Sequence, residues 1–169
     1  AGSAAEIAGE FLANPICRKI SFTGSTEVGR SLVAGAAEGV KPLSLELGGH
    51  SPLIVFDDAD LNVAVEGAMI AKYRNGGQSC IAAKRFIVCD AVYDAFLERF
   101  VSGMRALRVG DPREEATQIG PIATESVRDG LARQVSDSIA AGARVLLGGS
   151  TDGLAGFFYP PTVLVDIPD

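Results

Sequence analysis

The feature that most constrains this chain is an alternation of two periods. Apolar residues recur at helical spacing, then in short strand-like runs, with Gly, Pro or Asn at nearly every change. A short helix ends near Phe11, Asn14-Pro15 breaks it, and residues 18–22 read as a strand that turns at Thr23-Gly24-Ser25. Val28, Leu32, Val33 and Ala36 then give a helix over about 26–37, which Gly39 and Pro42 terminate. Residues 43–47 and 52–56 read as extended segments on either side of Gly48-Gly49, the best candidate for a domain junction. Leu61, Ala64, Val65, Ala68, Met69 and Tyr73 share one face of a helix ending near Arg74, with Asp57 and Asp58 available to cap it. A strand over 85–89 leads to a helix on which Val92, Phe96, Phe100 and Met104 step by four, stopped by Gly110-Asp111-Pro112. A last helix over 124–141 buries Val127, Leu131, Val135 and Ile139 and ends at Gly142, before a strand over 144–147 and an extended stretch over 157–165. Such alternation predicts an α/β protein with mainly parallel pairing.

The length of 169 residues and 47% hydrophobic content allow one good core. With 15 basic against 21 acidic side chains, the chain lacks the electrostatic footprint of a nucleic-acid binder or a polybasic membrane anchor. No run of apolar residues is long enough to span a bilayer, and no signal-peptide pattern opens the chain. A soluble cytoplasmic protein with a small-molecule partner is expected. Cys17, Cys80 and Cys89 show no C-x-x-C spacing, so reduced thiols and no metal site are expected. The chain opens on Ala1 and closes just after a strand-like run, which reads as a segment of something longer.

Three short stretches carry chemistry. Asn75-Gly76-Gly77-Gln78-Ser79-Cys80 places a cysteine in a turn between a helix and an apolar strand, a setting for a nucleophile; a small buried hydrophobe is the bland alternative. Thirty-four residues upstream, Glu46 stands in Leu45-Glu46-Leu47-Gly48-Gly49. An apolar setting between Leu45 and Leu47 would suit it to act as a general base; an exposed strand carboxylate is the bland alternative. Gly24-Ser25-Thr26-Glu27-Val28-Gly29 joins a strand to a helix, where free N–H groups could face a phosphate, or Ser25 could simply cap the helix. The stretch is neither G-x-G-x-x-G nor a Walker loop.

Together, Phe22-Thr23-Gly24-Ser25-Thr26-Glu27-Val28-Gly29, Leu45-Glu46-Leu47-Gly48-Gly49 and Asn75-Gly76-Gly77-Gln78-Ser79-Cys80 resemble the middle of an aldehyde dehydrogenase, in that family's order and spacing and over nearly all of the chain. The resemblance implies an aldehyde dehydrogenase-like α/β fold: residues 1–46 as the end of a Rossmann-like NAD(P)-binding domain, and 47–169 as the first part of a three-layer α/β catalytic domain. It implies oxidation of an aldehyde to an acid with NAD or NADP, through a thiohemiacetal and a thioester on Cys80, with Glu46 as base. It also implies that the Cys80 N–H helps hold the oxyanion, and that Thr23, Gly24, Ser25, Glu27, Gly29 and Leu47 lie at the cofactor. Arg74, six residues before Cys80, matches an arginine with which succinate-semialdehyde dehydrogenases hold the substrate carboxylate. A solvated arginine favoured at a helix end is the alternative.

The flank Ile81-Ala82-Ala83-Lys84-Arg85-Phe86-Ile87-Val88 also resembles bacterial members of the semialdehyde group. Many of these carry a second cysteine two residues after the nucleophile, where this chain has Ala82 and so no local disulfide switch. The family's asparagine oxyanion donor, ribose-binding residues, glutamate-phenylalanine motif and oligomerisation strand fall outside the sequence, so the isolated segment is expected to be inactive and the parent a homodimer or homotetramer. Two rival readings are a cysteine hydrolase or amidase using Cys80 with His50, and a non-catalytic relative that keeps the fold. His50 is otherwise read as structural or solvent-facing.

Overall fold

The computed structural model describes residues 2–151 and 155–168. The chain divides after Gly49 into two compact units, 1–49 and 50–169.

The first unit is a helix followed by a strand-helix-strand. Helix α1 (Ala4–Ala13) starts at Ser3, whose hydroxyl accepts from the Glu6 N–H. Its other end is held by Lys41, whose Nζ donates to the Phe11 and Asn14 carbonyls at 2.8 and 2.6 Å, placing a cation at the negative helix end. Strand β1 (Ile20–Gly24), helix α2 (Thr26–Ala36) and strand β2 (Leu43–Leu47) follow. The two strands are parallel, with Ile20 opposite Leu43 and Gly24 opposite Leu47. Ile20, Leu32 and Ala36 are buried, whereas Val28 and Val33, expected on the same helix face, keep 45% and 52% of their surface. Thr23 and Gly24 belong to the strand and not to the turn expected there.

The second unit opens with the same arrangement: β3 (Pro52–Val55), α3 (Leu61–Tyr73) and β4 (Arg85–Val88), with β3 and β4 parallel. Asp60 caps α3, accepting from the Asn62 and Val63 N–H groups, in place of Asp57 and Asp58. Helix α4 (Asp90–Arg105) packs on this unit, and Val55, Ala68, Phe96, Phe100 and Met104 form its buried core. The α3 residues picked out by periodicity all reach that core. Phe86 and Phe96 flank Phe100 with ring centroids 4.9 and 5.6 Å from it. On the other face of the β3–β4 sheet, Ile54 and Ile87 remain exposed, as side-chain alternation requires.

Helix α5 (Glu125–Ala140) departs from expectation. Val135 and Leu131 pack with Ile122, Tyr159 and Leu164, but Val127 and Ile139 are 46% and 44% exposed. Residues stepping by four drift about 40° per step around a helix, so the ends of such a stripe swing away from a narrow contact. Strands β5 (Arg144–Leu147) and β6 (Val163–Val165) pair antiparallel, the exception to the mainly parallel pairing expected and seen in β1–β2 and β3–β4. The described part of the segment between them contains no helix to carry a parallel crossover. The extended stretch over 157–165 shrinks to β6, since Pro160 and Pro161 have no N–H to give a ladder. Among the described residues, no helix is long and apolar enough to cross a membrane.

Candidate active site

The turn carrying Cys80 is built by three successive residues with left-handed backbone. After α3, Asn75, Gly76 and Gly77 take φ values of 55°, 61° and 78°. Glycine reaches this region freely, and asparagine is among the few others that do so at modest cost. A side chain at Gly77 would also crowd the Lys72 carbonyl, at 3.1 Å from its Cβ. The turn is therefore pinned and not merely loosened by its glycines. The Asn75 side-chain amide donates to the Gln78 carbonyl at 3.0 Å, and the Gln78 N–H to the Asn75 carbonyl at 3.0 Å.

Both peptide groups around Cys80 are fixed. The Ser79 carbonyl accepts from the Ala82 N–H at 3.1 Å, and the Cys80 carbonyl accepts from the Ser51 hydroxyl at 3.1 Å. In a trans peptide the N–H points opposite its carbonyl, so the Cys80 N–H faces away from Ala82. It donates no hydrogen bond among the described residues and is free to meet an oxyanion. Cys80 is exposed as a residue, whereas Cys17 and Cys89 are half-buried, and all three cysteines are free.

Arg74 terminates α3, its N–H donating to the Ile70 carbonyl. Its guanidinium is exposed and enters no hydrogen bond or ion pair among the described residues. Lys72, in the last turn of α3, was not singled out by sequence reasoning. Burial, and secondarily the nearby charge of Lys84, pushes its pKa below the usual lysine value. A long polar side chain on the margin of a helix face gives no sequence sign of which side it takes. His50 is exposed, and no hydrogen bond among the described residues orients its ring.

In the first unit the parallel register brings candidate residues to one sheet edge. Thr23 stands opposite Glu46 and Gly24 opposite Leu47, at the carboxyl ends of β1 and β2, where ligands meet open α/β sheets. Glu46 is exposed, and the apolar setting expected for it is absent. Leu45 and Leu47 flank it in sequence, but alternation along a strand sends their side chains to the opposite face. The Ser25 hydroxyl caps α2, accepting from the Val28 N–H at 3.3 Å. Its own proton stays available, so capping and donation to a phosphate are compatible. Glu27 is an acidic residue in the first turn of α2, on the exposed side. Gly29 has a packing duty, because a Cβ there would lie 2.8 Å from a Leu47 methyl.

Between α1, β1 and α2 lies an open apolar cleft of about 740 Å³, lined by Ala8, Leu12, Phe22, Val28 and Ser31 among others. Sequence reasoning did not place these residues around an open cleft. The half-exposure of Val28 on a face expected to be buried is the sign of it, and that sign exists only in three dimensions.

The sequence profile of the aldehyde dehydrogenase family matches residues 1–169. The chain is 48% identical to glutarate-semialdehyde dehydrogenase of Pseudomonas aeruginosa over 99% of its own length and 35% of that protein. It is 46% identical to the NADP(+) succinate-semialdehyde dehydrogenase of Escherichia coli K12, over 99% and 35%. The crystal structure of succinate-semialdehyde dehydrogenase from Burkholderia pseudomallei superposes with a TM-score of 0.94 at 45% identity, covering 99% of this chain and 35% of that one. The chain thus spans about a third of the length of the curated relatives it matches. With an α/β fold shared at this level and a family match along its whole length, the chain belongs to the aldehyde dehydrogenase family.

Proposed function

We propose that the protein containing this chain oxidises a carboxylate-bearing aldehyde, with succinate semialdehyde favoured, to the acid with NAD or NADP. The observation that carries this reading is the exposed Cys80 in a pinned turn, its N–H unpaired, in a chain of this family. In this reading the Cys80 thiolate adds to the aldehyde carbon while its N–H meets the new oxyanion. When bound, NAD or NADP would supply the hydride acceptor for oxidation of the thiohemiacetal. Glu46 then takes a proton from the water that hydrolyses the thioester, releasing the acid and the thiolate.

Residues 1–46 supply the end of the NAD(P)-binding domain and residues from 47 onward begin the catalytic domain, a boundary supported by the nearby division of the chain after Gly49. The fit to a dinucleotide is physical. Ser25 keeps a donor proton at a helix N-terminus, Gly29 lets α2 close on Leu47, and the apolar cleft suits a flat ring. Thr23, Gly24 and Glu27 complete the cofactor edge in this reading. Arg74 holds the substrate carboxylate, because its unpaired planar fork matches two carboxylate oxygens. The semialdehyde names of the relatives and the NADP(+) of one support the same substrate class and cofactor type. The parent acts as a homodimer or homotetramer in the cytoplasm, where its thiols stay reduced.

A substrate panel on the full-length protein tests the proposal. Semialdehydes and uncharged aldehydes of equal length are compared for NAD(P)H formation, with Cys80→Ala and Glu46→Gln alongside. Turnover that prefers the charged series and vanishes in Cys80→Ala is expected. Turnover surviving in Cys80→Ala, or no reduction of either dinucleotide, would sink the reading. The hydrolase reading has no support in the geometry, since no hydrogen bond among the described residues orients His50.

A further inference from the structure

We infer that Ser51 is a positioning residue for the nucleophile: its hydroxyl grips the Cys80 carbonyl and so sets the direction of the thiol and the oxyanion-binding N–H. The inference rests on the reading of Cys80 as a carbonyl nucleophile.

Ser51 stands in a costly conformation. Its φ is 41°, in the left-handed region that non-glycine residues seldom enter, and it precedes Pro52, which steers the preceding residue toward extended backbone. Strain of this kind persists only where surrounding contacts over-determine it. Here two contacts hold Ser51, and both lead to the Cys80 loop. Its hydroxyl donates to the Cys80 carbonyl at 3.1 Å, and its carbonyl accepts from the Lys84 N–H at 3.4 Å, on the way from that loop into β4. The serine just before β3 thus clasps the segment just before β4.

The consequence for Cys80 is geometric. The Ala82 N–H fixes the peptide plane before its Cα, and Ser51 fixes the plane after it. With both planes held, the Cα–Cβ direction is set, and the thiol keeps only its side-chain torsion. Without the Ser51 hydroxyl the second plane can rotate, and the sulfur and its N–H no longer hold one mutual geometry. A group placed this way acts in the transition state, where small misplacements are costly. It contributes little to the earlier capture of substrate by distant charges.

The test uses the full-length protein with Ser51→Ala, which keeps the backbone strain, and Ser51→Gly, which relieves it. The first readout needs no cofactor: the dissociation constant of a trifluoromethyl ketone bearing a terminal carboxylate. The Cys80 thiolate adds to its carbonyl carbon, forming a C–S bond as the π pair moves to oxygen. The second readout is the split of kcat against KM for the preferred aldehyde. Both variants are expected to weaken the adduct about tenfold and lower kcat about tenfold, the worth of one such bond, with KM within about twofold. Adducts and kcat equal to wild type in Ser51→Gly would overturn the inference while leaving Cys80 as the nucleophile, and Ser51→Gly decides even if Ser51→Ala does not fold. A wild-type protein that forms no adduct overturns the reading of Cys80 itself, and this inference with it.

Discussion

Gln78 and Ala123 are joined across 45 residues of sequence by a hydrogen bond of 2.9 Å, from the Ala123 N–H to the Gln78 Oε1. The Cys80 turn is thereby tied to the residue just ahead of Thr124, whose hydroxyl caps α5.

Replacing Gln78 with alanine removes this tie and leaves Glu possible as a substitute acceptor. Hydrogen exchange at Ala123 and through the Cys80 turn is expected to speed up in Gln78→Ala by about tenfold and to stay near wild type in Gln78→Glu. Unchanged protection in Gln78→Ala would show the turn to be held without this bond.

Arg74→Ala is expected to lower kcat/KM for a carboxylate-bearing aldehyde by about 30- to 100-fold, the loss of a charge-assisted pair. Uncharged aldehydes of the same length should change by less than about threefold. Steady-state kinetics on both series decides it, and a uniform loss would mean that Arg74 only maintains the end of α3.

Lys72 gives a pH signature. Its folded pKa lies below the unfolded value of 10.5, first through burial and then through Lys84. Between those two pKa values the unfolded chain holds more protons, so this lysine makes stability rise with pH across that window. Below it, the desolvation cost is fully present. Lys72→Met should raise the denaturant midpoint most near neutral pH, and the advantage should shrink as pH approaches 10.5. A constant advantage at every pH would refute the assignment.

Tyr73 buries its hydroxyl without a hydrogen-bond partner among the described residues, and burial pushes its pKa well above the ordinary 10.0. The folded state then holds a proton that the unfolded state releases, so stability falls as pH rises past 10.0. Tyr73→Phe keeps the ring in the core and is expected to stabilise by about 1 kcal/mol. Its stability should also decline less at alkaline pH. Chemical denaturation at two pH values measures both effects.

The α3 and α4 faces were legible because one strong period served one contact: Ala68, Phe96, Phe100 and Met104 are all buried where spacing placed them. The same rule misjudged Val127 and Ile139, because a stripe of four-residue steps reaches further around α5 than its neighbours do. Glu46 shows the limit at a single site. Its leucine neighbours suggested an apolar pocket, but adjacency along a strand means opposite faces.

By itself the sequence determined the order of elements, the family and the identity of Cys80 and Glu46 as candidates, because these follow from local period and from residue types at fixed spacing. Only the tertiary structure decided that Ser51 clasps the Cys80 carbonyl and Gln78 the Ala123 N–H, that Gly29 gives way to Leu47, and that β5 and β6 run antiparallel. Each of these depends on which distant backbone groups meet, and no local spacing encodes that.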